Sequence, residues 1–241
     1  MKGVKNLKKG IASTERYNPN NSELYWLKKY HDKVSTLIPS ALNKCVLDAG
    51  CGYGLTEPIL LSLGAKKVDA FDIDKEAINY CQDKNQSKSL NFGIKDFNKT
   101  EFESNYYDLV ISLDVLEHLK NYEFYLSNLS KSLTTGGLLF LTTPNKDKSL
   151  GLNKFHIKEF TLEEMKQLLE RNSFEILEIK GVSSSNEITT ISKFVPKIIL
   201  SLIRNSKFLH KFLVDKLENF HQEDPKDSSE LVYLCRKIQI C

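Results

Sequence analysis

The sequence predicts an α/β protein: a doubly wound, mostly parallel sheet of seven strands, the last one antiparallel, with a helical insert between the last two strands. Three observations carry this expectation. Short apolar runs alternate with segments of helical period along most of the chain, and repeated β-α units imply a parallel sheet. One run, Leu138 to Thr142, is almost continuously apolar, as strands covered by helices on both faces are. The first run ends in Asp48 and three glycines at two-residue spacing, Gly50, Gly52 and Gly54. Such a backbone can turn sharply at a strand end and approach a ligand with no Cβ in the way.

Each element can be justified in order. Residues 1–21 are polar and rich in Lys and Asn, and are expected to form a mobile arm ahead of a domain over 22–241. From Ser22 a helix is expected, with Leu24, Leu27, Tyr30, Val34 and Leu37 at helical spacing until Pro39 and Ser40 stop it. Cys45 to Asp48 is the first strand; after the glycines, Thr56 to Leu63 is an apolar helix ended by Gly64. Lys67 to Asp72 and Lys75 to Asp83 repeat the strand and the helix. A short third strand, Leu90 to Gly93, leads to Asp96, and a fourth, Tyr107 to Leu113, leads to Asp114. Tyr122 to Leu133 reads as helix, closed by Gly136-Gly137 before the fifth strand, Leu138 to Thr142.

The last third departs from simple alternation. Thr161 opens a helix over Leu162 to Arg171, with Glu164 at the third helical position in a capping-box pattern. Phe174 to Ile179 and Leu231 to Ile238 are the sixth and seventh strands. Between them Val195, Ile198, Ile199 and Leu202, then Leu209, Phe212, Leu213 and Leu217, fall at helical spacing on either side of Arg204-Asn205-Ser206. This predicts a helical hairpin inserted over about 183–228.

Composition narrows the function classes. With 241 residues the chain is long enough for one large α/β domain, and its net charge of +3 is small for a nucleic-acid binder. No Lys/Arg run is interleaved with aromatics, so no nucleic-acid partner is expected. The five cysteines (45, 51, 81, 235, 241) contain no C-x-x-C pair, which suggests neither a disulfide framework nor a metal site and fits a cytoplasmic setting. Met1 to Gly10 carries four lysines but no apolar core, and no membrane-spanning apolar stretch is present, so a soluble or at most peripheral protein is expected.

The glycine register selects among cofactors. A dinucleotide fingerprint, G-x-G-x-x-G, would need a glycine at 55, where the chain has Leu55. The segment D-x-G-x-G-x-G instead resembles motif I of the class I S-adenosylmethionine-dependent methyltransferases. Further motifs match the ubiquinone-type and small-molecule O-methyltransferase branch: Phe71-Asp72-Ile73-Asp74 closing the second strand, Asp96-Phe97 after the third, and Leu113-Asp114-Val115-Leu116-Glu117-His118 after the fourth. Thr142-Thr143-Pro144-Asn145 and His156-Ile157-Lys158-Glu159-Phe160-Thr161 complete the set.

The resemblance implies a Rossmann-like methyltransferase fold and S-adenosyl-L-methionine as cofactor, with S-adenosyl-L-homocysteine as product. In the family, the glycines equivalent to Gly50, Gly52 and Gly54, with Cys51 between them, pass under the methionine part, and the acid equivalent to Asp48 holds its amino group. Asp72 is then the ribose carboxylate, followed by Ile73, while Asp74 starts the next helix. The resemblance also implies Asp96 for the exocyclic amine of adenine, Phe97 packing on its ring, and the backbone at Ser112 and Leu113 beside the methionine. His118 reads as a base or substrate contact or as a structural histidine at a helix start. His156 reads as a base for a hydroxyl proton or as a hydrogen-bonded loop anchor.

The expected acceptor is a small molecule, methylated most readily on oxygen, with a quinone precursor or a cell-surface glycan precursor as leading types. Methylation of a small amine is the nearest alternative within the family. Outside it, an NAD-dependent oxidoreductase is disfavoured by the glycine register and the lack of a Y-x-x-x-K pair, and a module that binds the cofactor without catalysis is the third reading. Thr190 to Phe220 carries six Lys/Arg against two acids beside its apolar stripe. The insert is therefore read as a lid over the acceptor, with peripheral contact to anionic membrane headgroups as a second role.

Overall fold

The computed structural model describes residues 23–85, 87–149, 153–184 and 220–239. The arm at 1–21 and the hairpin at 195–217 lie outside the described residues. Helix α1 (Glu23–Ser35) precedes β1 (Cys45–Ala49), α2 (Glu57–Ser62), β2 (Lys67–Asp72), α3 (Lys75–Lys84), β3 (Leu90–Ile94) and β4 (Tyr107–Leu113). A single 3-10 turn (Leu116–His118), α4 (Tyr122–Ser132), β5 (Leu133–Pro144), α5 (Leu162–Arg171), β6 (Phe174–Ser184), β7 (Phe220–Glu223) and β8 (Glu230–Lys237) follow.

The strands form one sheet in the order β3-β2-β1-β4-β5-β8-β6-β7. β1 to β5 pair in parallel, and β8 enters antiparallel between β5 and β6. The expected mixed sheet is present with one strand more than the sequence pattern indicates. β7 pairs Phe220 with Ser184 and Glu223 with Gly181, so the margins of the 183–228 interval are strand. The order reverses between β1 and β4, and the carboxyl ends of these strands make the crevice in which open α/β sheets hold ligands.

Apolar side chains on the two faces of the sheet form two separate cores. One gathers Leu47, Val110, Leu139, Tyr125, Leu126, Leu129, Met165 and Leu168; the other gathers Val46, Leu109, Ile111, Phe140, Leu60, Tyr30 and Val34. Residues alternate between them along each strand, as the pleat requires.

Local chemistry sets most boundaries. Asp74 caps α3 by accepting from the amides of Glu76 and Ala77. Thr161 and Glu164 form both arms of the expected capping box on α5. Two expectations are corrected. Gly136-Gly137 does not close α4: the helix ends at Ser132, and Leu133 already pairs with Tyr107. Gly136, with φ 77°, occupies an irregularity inside β5 where the register jumps between Tyr107 and Leu109. His118 lies on the 3-10 turn and not on α4, which begins at Tyr122. Among the described residues no helix is long and apolar enough to cross a membrane.

Candidate active site

The glycine turn is held from below by β2. The amides of Gly50 and Cys51 both donate to the Phe71 carbonyl, at 2.8 and 3.1 Å, and the Gly52 amide donates to Asp72 Oδ2 at 2.9 Å. Gly50, Gly52 and Gly54 all have positive φ (105°, 51° and 77°), the left-handed region that favours glycine. The turn is also tight: a Cβ on Gly50 would stand 2.2 Å from Val115 Cγ2. Cys51 is buried, and burial first, then the charge of Glu57, pushes its thiol well up, so it is a small residue in a tight turn and not a thiolate.

Asp48 and Glu57 flank this turn, one at the end of β1 and one at the start of α2. They are 1% and 0% exposed, and none of their four carboxylate oxygens has a well-aligned hydrogen-bond donor, the nearest being the Thr56 side chain for Asp48 and its own amide for Glu57. Burial, reinforced by the charge of Asp72, pushes the Asp48 carboxyl up to about 7. Glu57 is held well above the usual carboxylate range by burial and by the charge of Asp48. Buried acids without donors are costly, so they mark a place where something else supplies the donor or the charge.

Asp72 at the end of β2 accepts from the amides of Gly52 and Asp74, which fixes its carboxylate beside the turn. Ile73, next to it, is 53% exposed, an open apolar side chain at the mouth of the crevice. Asp96 accepts from Asn98 and lies 3.4 Å from Lys99 Nζ in the loop after β3. The Phe97 ring is 5% exposed and packs 5.5 Å from both Phe102 and Tyr125. The ring belongs to the core, so the open apolar platform near Asp72 is Ile73.

On the other side of the turn, Leu113 ends β4 and Asp114 follows with φ 53°. Asp114 Oδ1 accepts from the hydroxyls of Tyr30 and Thr142, at 3.2 and 2.6 Å. Ser112 Oγ lies 2.9 Å from the Tyr125 hydroxyl, which donates to the Ala49 carbonyl, so β4 and the glycine turn are tied together through α4. Glu117 is fully buried; Oε2 accepts from Thr143, while Oε1 has no partner. Its backbone carbonyl accepts from Ile157 and Lys158, which brings the loop of His156 over the 3-10 turn.

The two candidate histidines therefore meet. Their rings are 4.9 Å apart and edge to face. His118 Nδ1 lies 3.1 Å from the Phe155 carbonyl, an acceptor only, so Nδ1 carries a proton and donates it to that oxygen. His156 Nδ1 is 2.5 Å from Glu159 Oε1, and Asn153 Nδ2 is 2.6 Å from its Nε2. Glu117 Oε1 lies 4.0 Å from His118 Nε2 and 3.9 Å from His156 Nε2. One ligand atom from each of Glu117, His118 and His156 falls within 4.8 Å of the others, a spacing that a divalent cation can bridge and that no sequence pattern had suggested. Glu230, the first residue of β8, is partly buried and adds a carboxylate whose Oε2 is enclosed and unpartnered; burial and then the charges of Asp114, Glu117 and Glu159 hold it well above its usual range.

Comparison with known proteins decides the family. The profile of the methyltransferase domain family matches residues 24–179, from α1 into β6. The chain belongs to the class I S-adenosylmethionine-dependent methyltransferases. It is 26% identical over 165 residues to a probable S-adenosylmethionine-dependent methyltransferase of Mycolicibacterium smegmatis, covering 66% of this chain and 63% of that protein. It is 38% identical over 137 residues to a mitochondrial ubiquinone biosynthesis O-methyltransferase of Dictyostelium discoideum, covering 50% of this chain and 42% of that protein. The chain thus spans about two fifths to three fifths of the length of these curated relatives. In fold it is similar to the putative methyltransferase solved with its Trm112 activator from Haloferax volcanii, with a TM-score of 0.68 at 13% identity over 91% of this chain and 94% of that one.

The residues of this methyltransferase fit the family's cofactor. A tight turn whose Gly50 and Gly54 have no room for a Cβ, beside buried carboxylates that lack well-aligned donors, suits a small molecule with a cationic methionine end. Glu57, Glu117, Glu159 and Glu230 are the site residues that sequence pattern does not single out. Glu117 sits inside the V-L-E-H segment and Glu159 beside Phe160-Thr161, but only the fold reveals that they are buried and converge on the histidines.

Proposed function

We propose that this chain transfers the methyl group of S-adenosylmethionine to a hydroxyl oxygen of a small-molecule acceptor. The bound cofactor would supply an electrophilic methyl on sulfonium; everything else falls to the chain's own residues. Asp48 and the glycine turn hold the methionine end, Asp72 takes the ribose hydroxyls, and Ile73 lies against the adenine. The observation that carries the oxygen assignment is the His156–Glu159 pair, 2.5 Å apart, facing His118 and Glu117. A carboxylate on Nδ1 fixes the tautomer and stabilises the imidazolium that forms when an acceptor hydroxyl displaces the Asn153 amide from Nε2 and gives it a proton. Val115, against Gly50, and Glu117, two residues later, put this group next to the turn that holds the methionine. Methyl transfer then depends mainly on holding the oxygen in line with the methyl group.

The Dictyostelium relative's name supports a quinone-precursor hydroxyl as acceptor. The unpartnered oxygens of Glu117 and Glu230 favour a second reading, a small amine held by carboxylates. Incubation with S-adenosylmethionine and catechol, sugar and amine acceptors, with mass spectrometry of the products, separates the two. Methylated catechol or sugar is expected; turnover on amines alone would sink the oxygen assignment.

A further inference from the structure

Glu57 is a residue for which neither the fold nor the proposed transfer has a use. It is buried, both its oxygens lack well-aligned donors, and it sits at the first position of α2 with Oε2 folded back towards the glycine turn, 3.4 Å from where a Gly54 Cβ would stand. An acid at that position is ordinarily exposed, where water solvates it. Burying it beside Asp48, another acid with no well-aligned donor, places two carboxyl groups in a region that supplies no compensating charge.

The groups around it deepen the problem. Asp48 comes from β1, Asp72 from β2, Cys51 from the turn and Cys81 from α3, and Glu57 is held high by burial first and then by the charges of Asp48 and Asp72. Tyr125 of α4 faces Asp48, and His31 of α1 bonds Thr56, the residue before Glu57. Burial holds His31 neutral, so it brings no positive charge. Among the described residues, every titratable group that faces this pair is acidic or neutral. The pair must therefore retain protons in the free protein or receive a cation.

We propose that Glu57 is a second carboxylate for the ammonium of the cofactor's methionine end, and that the Asp48–Glu57 pair gives up a proton to solvent when that ammonium binds. This rests on the assignment of S-adenosylmethionine as cofactor. One carboxyl O–H bond breaks, its proton passes to a buffer base, and the carboxylate left behind contacts the ammonium. The fold supports this direction: Glu57 Oε2 lies against the glycine turn, 3.4 Å from the Cβ position of Gly54, and Asp72 has its oxygens already engaged by the amides of Gly52 and Asp74. Asp48, pushed up to about 7, holds its proton in the range where the exchange can be measured.

The test is calorimetric titration of the full chain with S-adenosylhomocysteine, which keeps the ammonium, in buffers of different ionisation enthalpy. Between pH 6 and 7, below the range where an α-amino group loses its own proton, affinity should rise about fivefold with release of a fraction of a proton per ligand. Glu57→Gln should weaken binding at pH 7.5 about tenfold and flatten the pH dependence, while leaving the melting temperature of the free protein little changed, because the carboxyl it replaces is already protonated there. Binding by the unmodified chain with no proton release would overturn the proposal, and needs no variant to fold. A Glu57→Gln variant with unchanged affinity and unchanged pH dependence would overturn it equally, leaving the cofactor assignment intact. No binding of S-adenosylhomocysteine by the unmodified chain would overturn both.

Discussion

Gly50 and Val115 occupy one space: a Cβ on the glycine would lie 2.2 Å from Cγ2 of the valine, at a φ of 105°. Gly50→Ala should therefore cost stability twice, through the clash and through a backbone conformation that L residues rarely adopt, about 3 kcal/mol or more together. Adding Val115→Ala should return only the steric part. Chemical denaturation of the single and double variants measures the split; full recovery in the double variant would mean that the left-handed backbone contributes nothing.

Asp72 holds the turn and the α3 start through two amide hydrogen bonds. Asp72→Asn keeps the shape but removes the charge and one acceptor. Affinity for S-adenosylhomocysteine should fall by one to two orders of magnitude, on the scale of about 1.5–3 kcal/mol for hydrogen bonds to a charged group. Unchanged affinity by calorimetry would remove Asp72 from the ribose.

Glu159→Gln tests the proton path. The variant can still bond His156 Nδ1 but no longer stabilises an imidazolium, so turnover at saturating acceptor should fall about a hundredfold with little change in cofactor affinity. His118→Gln, made separately, should raise the acceptor KM more than it lowers kcat if His118 only contacts substrate. Equal turnover in Glu159→Gln and the parent would leave His156 as a loop anchor.

His31 gives the fold an acid-sensitive point. Burial brings its imidazole down from 6.5 to about 4, with the charge of Asp32 opposing. In that interval the unfolded chain binds a proton that the folded chain does not, so stability is complete above pH 6.5 and is lost progressively as pH falls towards 4, about 3 kcal/mol at most. Asp48, raised to about 7, has the opposite sign: its contribution to stability falls as pH rises from about 4 to 7. A His31→Asn variant isolates the first effect. From pH 7 to 5 the urea midpoint of the variant should rise relative to that of the parent, because only the opposing Asp48 contribution remains; parallel shifts would contradict the buried neutral histidine.

Thr161→Ala removes one arm of the capping box on α5 and should cost about 1 kcal/mol without altering cofactor affinity, a thermal-melt comparison being sufficient.

Elements fixed by neighbouring residues were readable in the sequence. β2 and β4 have the expected bounds, and the caps of α3 and α5 are Asp74 and Thr161, because period and cap chemistry are local. The bulged start of β5 was not, since its irregularity is set by pairing with β4. β7 was not, because Phe-His-Gln-Glu has no strand-like alternation and exists as a strand through its pairing with β6. In the site, glycine spacing and strand-end acids were visible. The burial of Glu57 and Glu117 was not, because acids read as solvated until the sheet brings them together, and neither was the packing of Phe97 against Phe102 and Tyr125.

β8 lies in the interior of the sheet although it follows every other described strand in the chain. While a ribosome is still synthesising residues 230–237, β5 and β6 have no neighbour between them, and two long rows of backbone donors and acceptors stand open. An unpaired edge of that kind is a template for other chains. The nascent protein thus passes through a stage in which every catalytic side chain before residue 230 has been made and yet the molecule is most exposed to aggregation, so chaperone dependence should track the delay before that last strand inserts.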